Sequence, residues 1–156
     1  MGAPLRYCET DELHRDFHRS LNGTIAHVRK THGMKFLAAI FKATAQEVYQ
    51  SIWNDLKRGD TAQLVAHWRH FFDREGGRYR IREKDGEIEL RVTRCPAIAY
   101  LRKEGIPVDR AFCSQTRCMN AAWSEDTPFR IETTVLGNGQ CRQVIRLRRK
   151  KAGSTV

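Results

Sequence analysis

No apolar run in this sequence approaches the roughly 18 residues that a membrane-spanning helix needs. Its opening stretch, MGAPLRYCETDELHRD, has no hydrophobic segment of the secretory type. Gly2 is present, but Arg6 stands where a myristoylation signal wants Ser or Thr. Internal repeats, low-complexity tracts and linker-like stretches are missing too, which sets aside solenoids and tandem arrays. Acidic residues are scarce, 18 against 28 Lys and Arg, for a formal net charge of +10. Together these absences predict a cytoplasmic chain with reduced thiols, whose cysteines serve catalysis or metal binding rather than a disulfide framework. What is there fits a single soluble domain: 156 residues can bury a core, and 40% apolar with 29% charged residues is a globular balance.

The first half has helical periodicity. Leu13, Phe17, Leu21, Thr24 and Val28 share a face over residues 10 to 31, with Thr10 near the start and Gly33 as the stop. Leu37, Ile40, Phe41, Thr44, Val48 and Ile52 repeat the pattern from 34 to 57. A third helix is expected over 60 to 74, capped by Asp60 or Thr61, with Leu64, Val65, Trp68, Phe71 and Phe72 inward. The period then drops to two. RYRIRE and EIELRVTR flank the turn KDG, and FRIETTVL and QCRQVIRLR flank GNG, which predicts two β-hairpins. Between them CPAIAYLRKEG reads as a short helix, with Pro96 in its first turn and Gly105 at its end, and VDRAFCSQTRCMNAAW as another. The predicted fold is α+β: N-terminal helices packed on a four-stranded antiparallel sheet of two hairpins, with two short helices between them. Residues 1–76 form the helical half, 77–148 the sheet half and 149–156 a basic tail. Cys141, Gln143, Ile145 and Leu147 should share the inner face with Phe129, Ile131, Thr133 and Val135. Gln143 is then a buried amide, either satisfied within the protein or bonded to a ligand.

Three of the five cysteines lie between residues 95 and 118, and Cys141 follows the GNG turn. The gaps are 17, four and 22 residues, a weak match to a zinc knuckle. Cys113 and Cys118 would also be about 140° apart on a regular helix. Position carries more than spacing. Cys95 ends a strand and opens a helix, whose free amides favour a thiolate; Cys113 feels a weaker version at the next helix. Three thiols from three elements, Cys95, Cys113 and Cys141, are expected to converge at one end of the sheet, as nucleophile and neighbours or as ligands to a metal. The alternative is three small buried side chains, which is also the reading for Cys8.

The ordered set VTRCPAIAYLRKEGIPVDRAFCSQT…FRIETTVLGNGQC resembles the L-2-amino-thiazoline-4-carboxylic acid hydrolase-like family over roughly residues 77 to 146. The family pattern is a strand ending in Cys-Pro, here Cys95-Pro96, then a helix to Gly105, Cys113 beside a polar segment, and a Gly-containing turn into Cys141. Thr116 stands where members often carry Asp, GNGQC replaces an acidic turn, and Cys118 is extra. The arrangement is also similar to four-vinyl-reductase-type ligand-binding domains, whose cysteines are associated with zinc and small-molecule sensing. The hydrolase resemblance implies ring-opening hydrolysis of a small cyclic amidine-like carboxylate, at the carbon between nitrogen and sulfur. Cys113 would be the nucleophile, with Cys95 and Cys141 beside it, or the three would hold a zinc ion that activates water. Gln143 and Thr116 would contact substrate, and Arg94, Arg117 or Arg142 would pair with its carboxylate.

Other groups are read as structural. His14 and His18, and His67 and His70, lie at helical spacing without an acidic partner of the HExxH kind. Glu125 and Asp126 belong to a polar loop before Pro128. The expected outer sheet face carries Arg78, Arg80, Arg82, Arg91, Arg130, Arg142, Arg146 and Arg148, tempered by Glu89 and Glu132. Such a face suits cross-strand ion pairs, a homo-oligomer interface or, less well without interleaved aromatics, nucleic acid. A basic nucleic-acid module and a non-catalytic small-molecule or zinc-binding domain therefore stand beside the hydrolase as alternative functions. The expected partner is a small anionic substrate, with no membrane involvement.

Overall fold

The computed structural model of the chain describes residues 4–7 and 16–149. Cys8, His14, the expected helix start at Thr10 and the tail beyond Arg149 lie outside the described residues. The elements run α1 (Phe17–Ala43), a π-helical turn (Thr44–Val48), α2 (Gln50–Lys57), α3 (Ala62–Glu75), β1 (Arg78–Lys84), β2 (Glu87–Arg94), α4 (Pro96–Lys103), α5 (Ser114–Ser124), β3 (Phe129–Gly137) and β4 (Gln140–Leu147). The fold is α+β, with one antiparallel sheet of order β1-β2-β4-β3. None of the described helices is long and apolar enough to cross a membrane.

The helical half departs from simple periodicity in two places. Gly33, at φ 84 and ψ 172, breaks the helical path inside α1, so the stop expected there survives as a kink. The π-helical turn then inserts an extra residue, and the inward stripe slips. Ile40 and Val48, expected inward, are 39% and 66% exposed, whereas Ala45, Ile52 and Leu56 are buried. In the first turns of α1 the buried face is His18, Asn22, Ile25 and Val28, with Leu21 partly buried against it, while Phe17 and Thr24 are exposed. Polar residues hold that face because each finds a partner. Asn22 donates to the Pro107 carbonyl at 3.0 Å and accepts from the Asp109 amide at 2.9 Å. His18 Nε2 lies 3.2 Å from Glu75 Oε2.

The sheet follows the alternation closely. Asp85 and Gly86 turn the first hairpin and Asn138 and Gly139 the second, all four at positive φ, as a two-residue primed turn requires. β3 and β4 pair Phe129 with Leu147, Ile131 with Ile145, Thr133 with Gln143 and Val135 with Cys141, so the two sets expected on one face do share it. β2 adds Leu90 opposite Gln143 and Val92 opposite Cys141. One buried cluster joins both halves, with Ile52, Leu64, Trp68 and Trp123 packed with Leu90, Ile131 and Ile145. At about 25 cal/mol per Å² of apolar surface, this shared burial is what holds helices to sheet.

α5 begins later than expected. Asp109 takes a two-pronged ion pair from Arg29, at 3.0 and 2.7 Å, and accepts the Ala111 amide at 2.9 Å. The chain is thereby held in turns up to Cys113, which becomes the N-cap position of α5 instead of lying inside the helix.

Candidate functional site

Strand β2 ends at Arg94, and Pro96, with φ suited to a first helical turn, starts α4 at once. Cys95 is therefore fixed at the corner. Its amide donates to the Gly139 carbonyl at 2.8 Å, tying the β3–β4 turn to the start of α4. Glycine suits position 139: its φ is +71, and a Cβ would meet Ile98 Cγ2 at 3.3 Å, tighter than an ordinary contact. This clamp sets Cys95 beside Cys141, and the capped turn before α5 brings Cys113 to the same place. Cys95, Cys113 and Cys141 line one cavity of about 250 Å³ between the end of the sheet, α4 and the start of α5.

Gln143 and Thr116, both expected at the site, stand on its wall. Gln143 is 5% exposed. Its Oε1 accepts from Asn120 Nδ2 at 2.7 Å, and the same nitrogen donates to Thr133 Oγ1 at 2.8 Å. With its oxygen engaged, Gln143 turns its Nε2 toward Cys141 Sγ, 3.9 Å away. An amide in an apolar row is here both satisfied and aimed.

The arginines are corrected. Arg94 is exposed at the end of β2 and lines a separate polar cleft with His18, Glu75 and Lys103. Arg117 is on the exposed side of α5. Arg142 alternates to the outer sheet face, where it pairs with Glu89. None of the three lines the thiol cavity; the arginine on its wall is Arg102, in the last turn of α4. The sequence signal for it was the spacing 95, 98, 102, which puts Cys95, Ile98 and Arg102 on one helical face.

The expected low thiol pKa at Cys95 does not hold. Burial pushes the Cys95 thiol up, and the Ile98 and Ala97 amides, which do reach the sulfur, pull it down by less. Burial raises Cys113 as well, the neighbouring Cys95 adds to the rise, and Arg117 opposes it. Cys141 is pushed up to about 11 by burial, with Gln143 opposing and the Cys95 and Cys113 thiols adding. All three therefore carry their protons at neutral pH. Cys118, raised by burial too, lies off the cavity wall.

Among the described residues, no group of three or more His, Cys, Asp and Glu side chains is gathered closely enough to hold a metal ion. The three thiols converge on a cavity but do not form a zinc donor set. His18 is buried within the fold rather than partly exposed. His67 is hydrogen-bonded to the Tyr7 hydroxyl at 2.6 Å, and burial, with His70 and Arg74 nearby, pushes it down to about 4. Glu125 accepts from Lys42 and Gln46 in its loop. No protein-family model, curated protein or solved structure matches this chain at a significant level.

Proposed function

We propose that the chain is a hydrolase of a small cyclic amidine or thiazoline-type carboxylate, acting through a cysteine in the thiol-lined cavity. The observation that carries this reading is the convergence of Cys95, Cys113 and Cys141 on one largely apolar cavity whose wall holds Arg102 as its charged side chain. A volume of about 250 Å³ suits a compact metabolite, being just under the roughly 300 Å³ where drug-sized pockets begin. Arg102 supplies a fork for a carboxylate, and Gln143 supplies an oriented amide. The resemblance of the ordered cysteine set to the L-2-amino-thiazoline-4-carboxylic acid hydrolase-like family supports the same substrate class.

The chemistry follows from the protonated thiols. We take Cys113 as the nucleophile: it stands at the N-cap position of α5, where the open helix amides favour a thiolate, and Arg117 acts in the same direction against burial. The basic ring nitrogen of a 2-amino-thiazoline-4-carboxylate takes the Cys113 proton while the sulfur adds to C2, forming a C–S bond and converting C=N to C–NH. The ring C–N bond then breaks, the leaving nitrogen taking a proton from the exocyclic amine, which becomes C=NH. Water adds to this carbon, and the Cys113 thiol departs with a proton, leaving an S-carbamoyl thioester and a free amine. No oxidant or external base is needed, and a thiol of raised pKa is intrinsically the stronger nucleophile once ionised.

A second reading, binding without turnover, is favoured by one observation. Among the described residues, the thiol cavity's wall carries no carboxylate and no imidazole to activate water. Incubating the protein with 2-amino-thiazoline-4-carboxylate and following the ring-opened product by mass spectrometry separates the two. Turnover lost in Cys113→Ser but kept in Cys118→Ser supports the hydrolase. Saturable binding with no product in any variant supports the binding domain, and neither binding nor product sinks both.

A further inference from the structure

The thiol cavity has a neighbour across Gln143. A second cavity of about 170 Å³ shares Phe71, Phe72, Gln115, Thr116 and Gln143 with it. The rest of that wall is mostly ring and thioether surface, Phe17, Tyr49, Trp68, Trp123 and Met119, together with His67 and the amide of Asn120. The rings already meet edge to face, Tyr49 with Trp123 at 6.1 Å and His67 with Trp123 at 5.9 Å between centroids. His67 is neutral at physiological pH. None of the described wall residues carries a charge, in contrast to the thiol lobe with Arg102. The wall shared by the two lobes combines the Phe71 and Phe72 rings with the polar side chains of Gln115, Thr116 and Gln143, the last held by Asn120.

We propose that the two lobes bind one elongated ligand, its carboxylate and reactive ring beside Arg102 and the thiols, and a flat uncharged aromatic substituent in the ring-lined lobe. This deepens the function proposed above and rests on it. An aromatic group matches the lobe because it offers both area to bury and the quadrupole that tilted rings prefer. A methyl group leaves most of the lobe empty, and a charged substituent finds no counter-ion among the described wall residues.

The test compares thiazoline-4-carboxylates bearing a 2-methyl or a 2-phenyl group, on the full chain, with two readouts. Protection of Cys113 from iodoacetamide reports the thiol lobe, and fluorescence of Trp68 and Trp123 reports the aromatic one. The expected result is protection by both ligands, with the phenyl compound at least about tenfold tighter and alone in shifting the tryptophan emission. Met119→Trp, which fills the aromatic lobe, should remove the phenyl advantage and keep methyl-ligand protection; if that variant does not fold, the wild-type ratio and emission decide. Equal affinities with unchanged emission overturn the aromatic lobe and leave the thiol site standing. Emission change without thiol protection overturns the single-ligand arrangement. Absence of protection by either compound overturns the thiol-site reading and this inference with it.

Discussion

On the inner face of the sheet, β4 presents Cys141, Gln143 and Ile145 to the helices; on its outer face the same strand presents Arg142, Val144 and Arg146. The inner residues work in a dehydrated space, where a thiol keeps its proton and one amide is oriented by another. The two outer arginines are partly exposed to water and are compensated across strands, Arg142 by Glu89 and Arg146 by Glu87 and Glu132. Val144, 2% exposed, sits in register between Glu89 and Glu132. One strand thus serves two chemistries because its period of two sends neighbours to opposite dielectrics. The lesson is where each kind of change should be felt. Deletions on the inner side should cost stability and ligand together, whereas the outer charges should matter little singly.

The largest effect is expected from the core under the site. Leu90 is fully buried and opposite Gln143, so Leu90→Ala should destabilise by about 2–5 kcal/mol in urea unfolding. The next concerns pH. Folded His67 stays neutral down to about 4, whereas in the unfolded chain it takes a proton near its ordinary 6.5. Between those values the unfolded state binds more protons, so stability should fall as pH drops from 6.5 to 4, by on the order of 3 kcal/mol for this group. His67→Gln should flatten that part of the profile relative to wild type.

A smaller effect is expected at the buried amide pair. Asn120→Ala leaves Gln143 Oε1 and Thr133 Oγ1 without their donor, costing about 1–3 kcal/mol. Because Gln143 is then free to turn, affinity for 2-amino-thiazoline-4-carboxylate should drop as well, measured by calorimetry on the folded variant. The smallest effect belongs to the outer face: Arg142→Ala should cost under about 1 kcal/mol and less in high salt, read from thermal unfolding at two ionic strengths. A large loss there would erase the contrast between the faces.

The sheet was legible because alternation and turn chemistry point to the same register: Asp85-Gly86 and Asn138-Gly139 fix the hairpins, and an offset of one residue would have turned Cys141 and Ile145 outward. The convergence of Cys95, Cys113 and Cys141 was legible for the same reason, since all three sit where elements end. The inward face of α1 was not. Burial of His18 and Asn22 depends on Glu75, Pro107 and Asp109, which are remote in sequence. The slip at Thr44–Val48 has no compositional mark. Thiol ionisation was misjudged because helix amides can be read from sequence, while the depth of burial that outweighs them at Cys95 cannot. Arg94, Arg117 and Arg142 neighbour cysteines in sequence but not the cavity, whereas Arg102, two helical turns beyond Cys95, reaches its wall.

The claim that the inner cavity delivers a small anion to a thiol is tested most directly by the relative rates of iodoacetate and iodoacetamide at single cysteines, read by peptide mapping at pH 8. Cys118 is the internal reference: it lies off the cavity, yet shares the influence of Arg117 with Cys113. The account predicts that Cys113 favours the anionic reagent relative to Cys118, and that Arg102→Gln abolishes the preference. The same reagent ratio at both thiols, or a preference at Cys113 that survives Arg102→Gln, would contradict it.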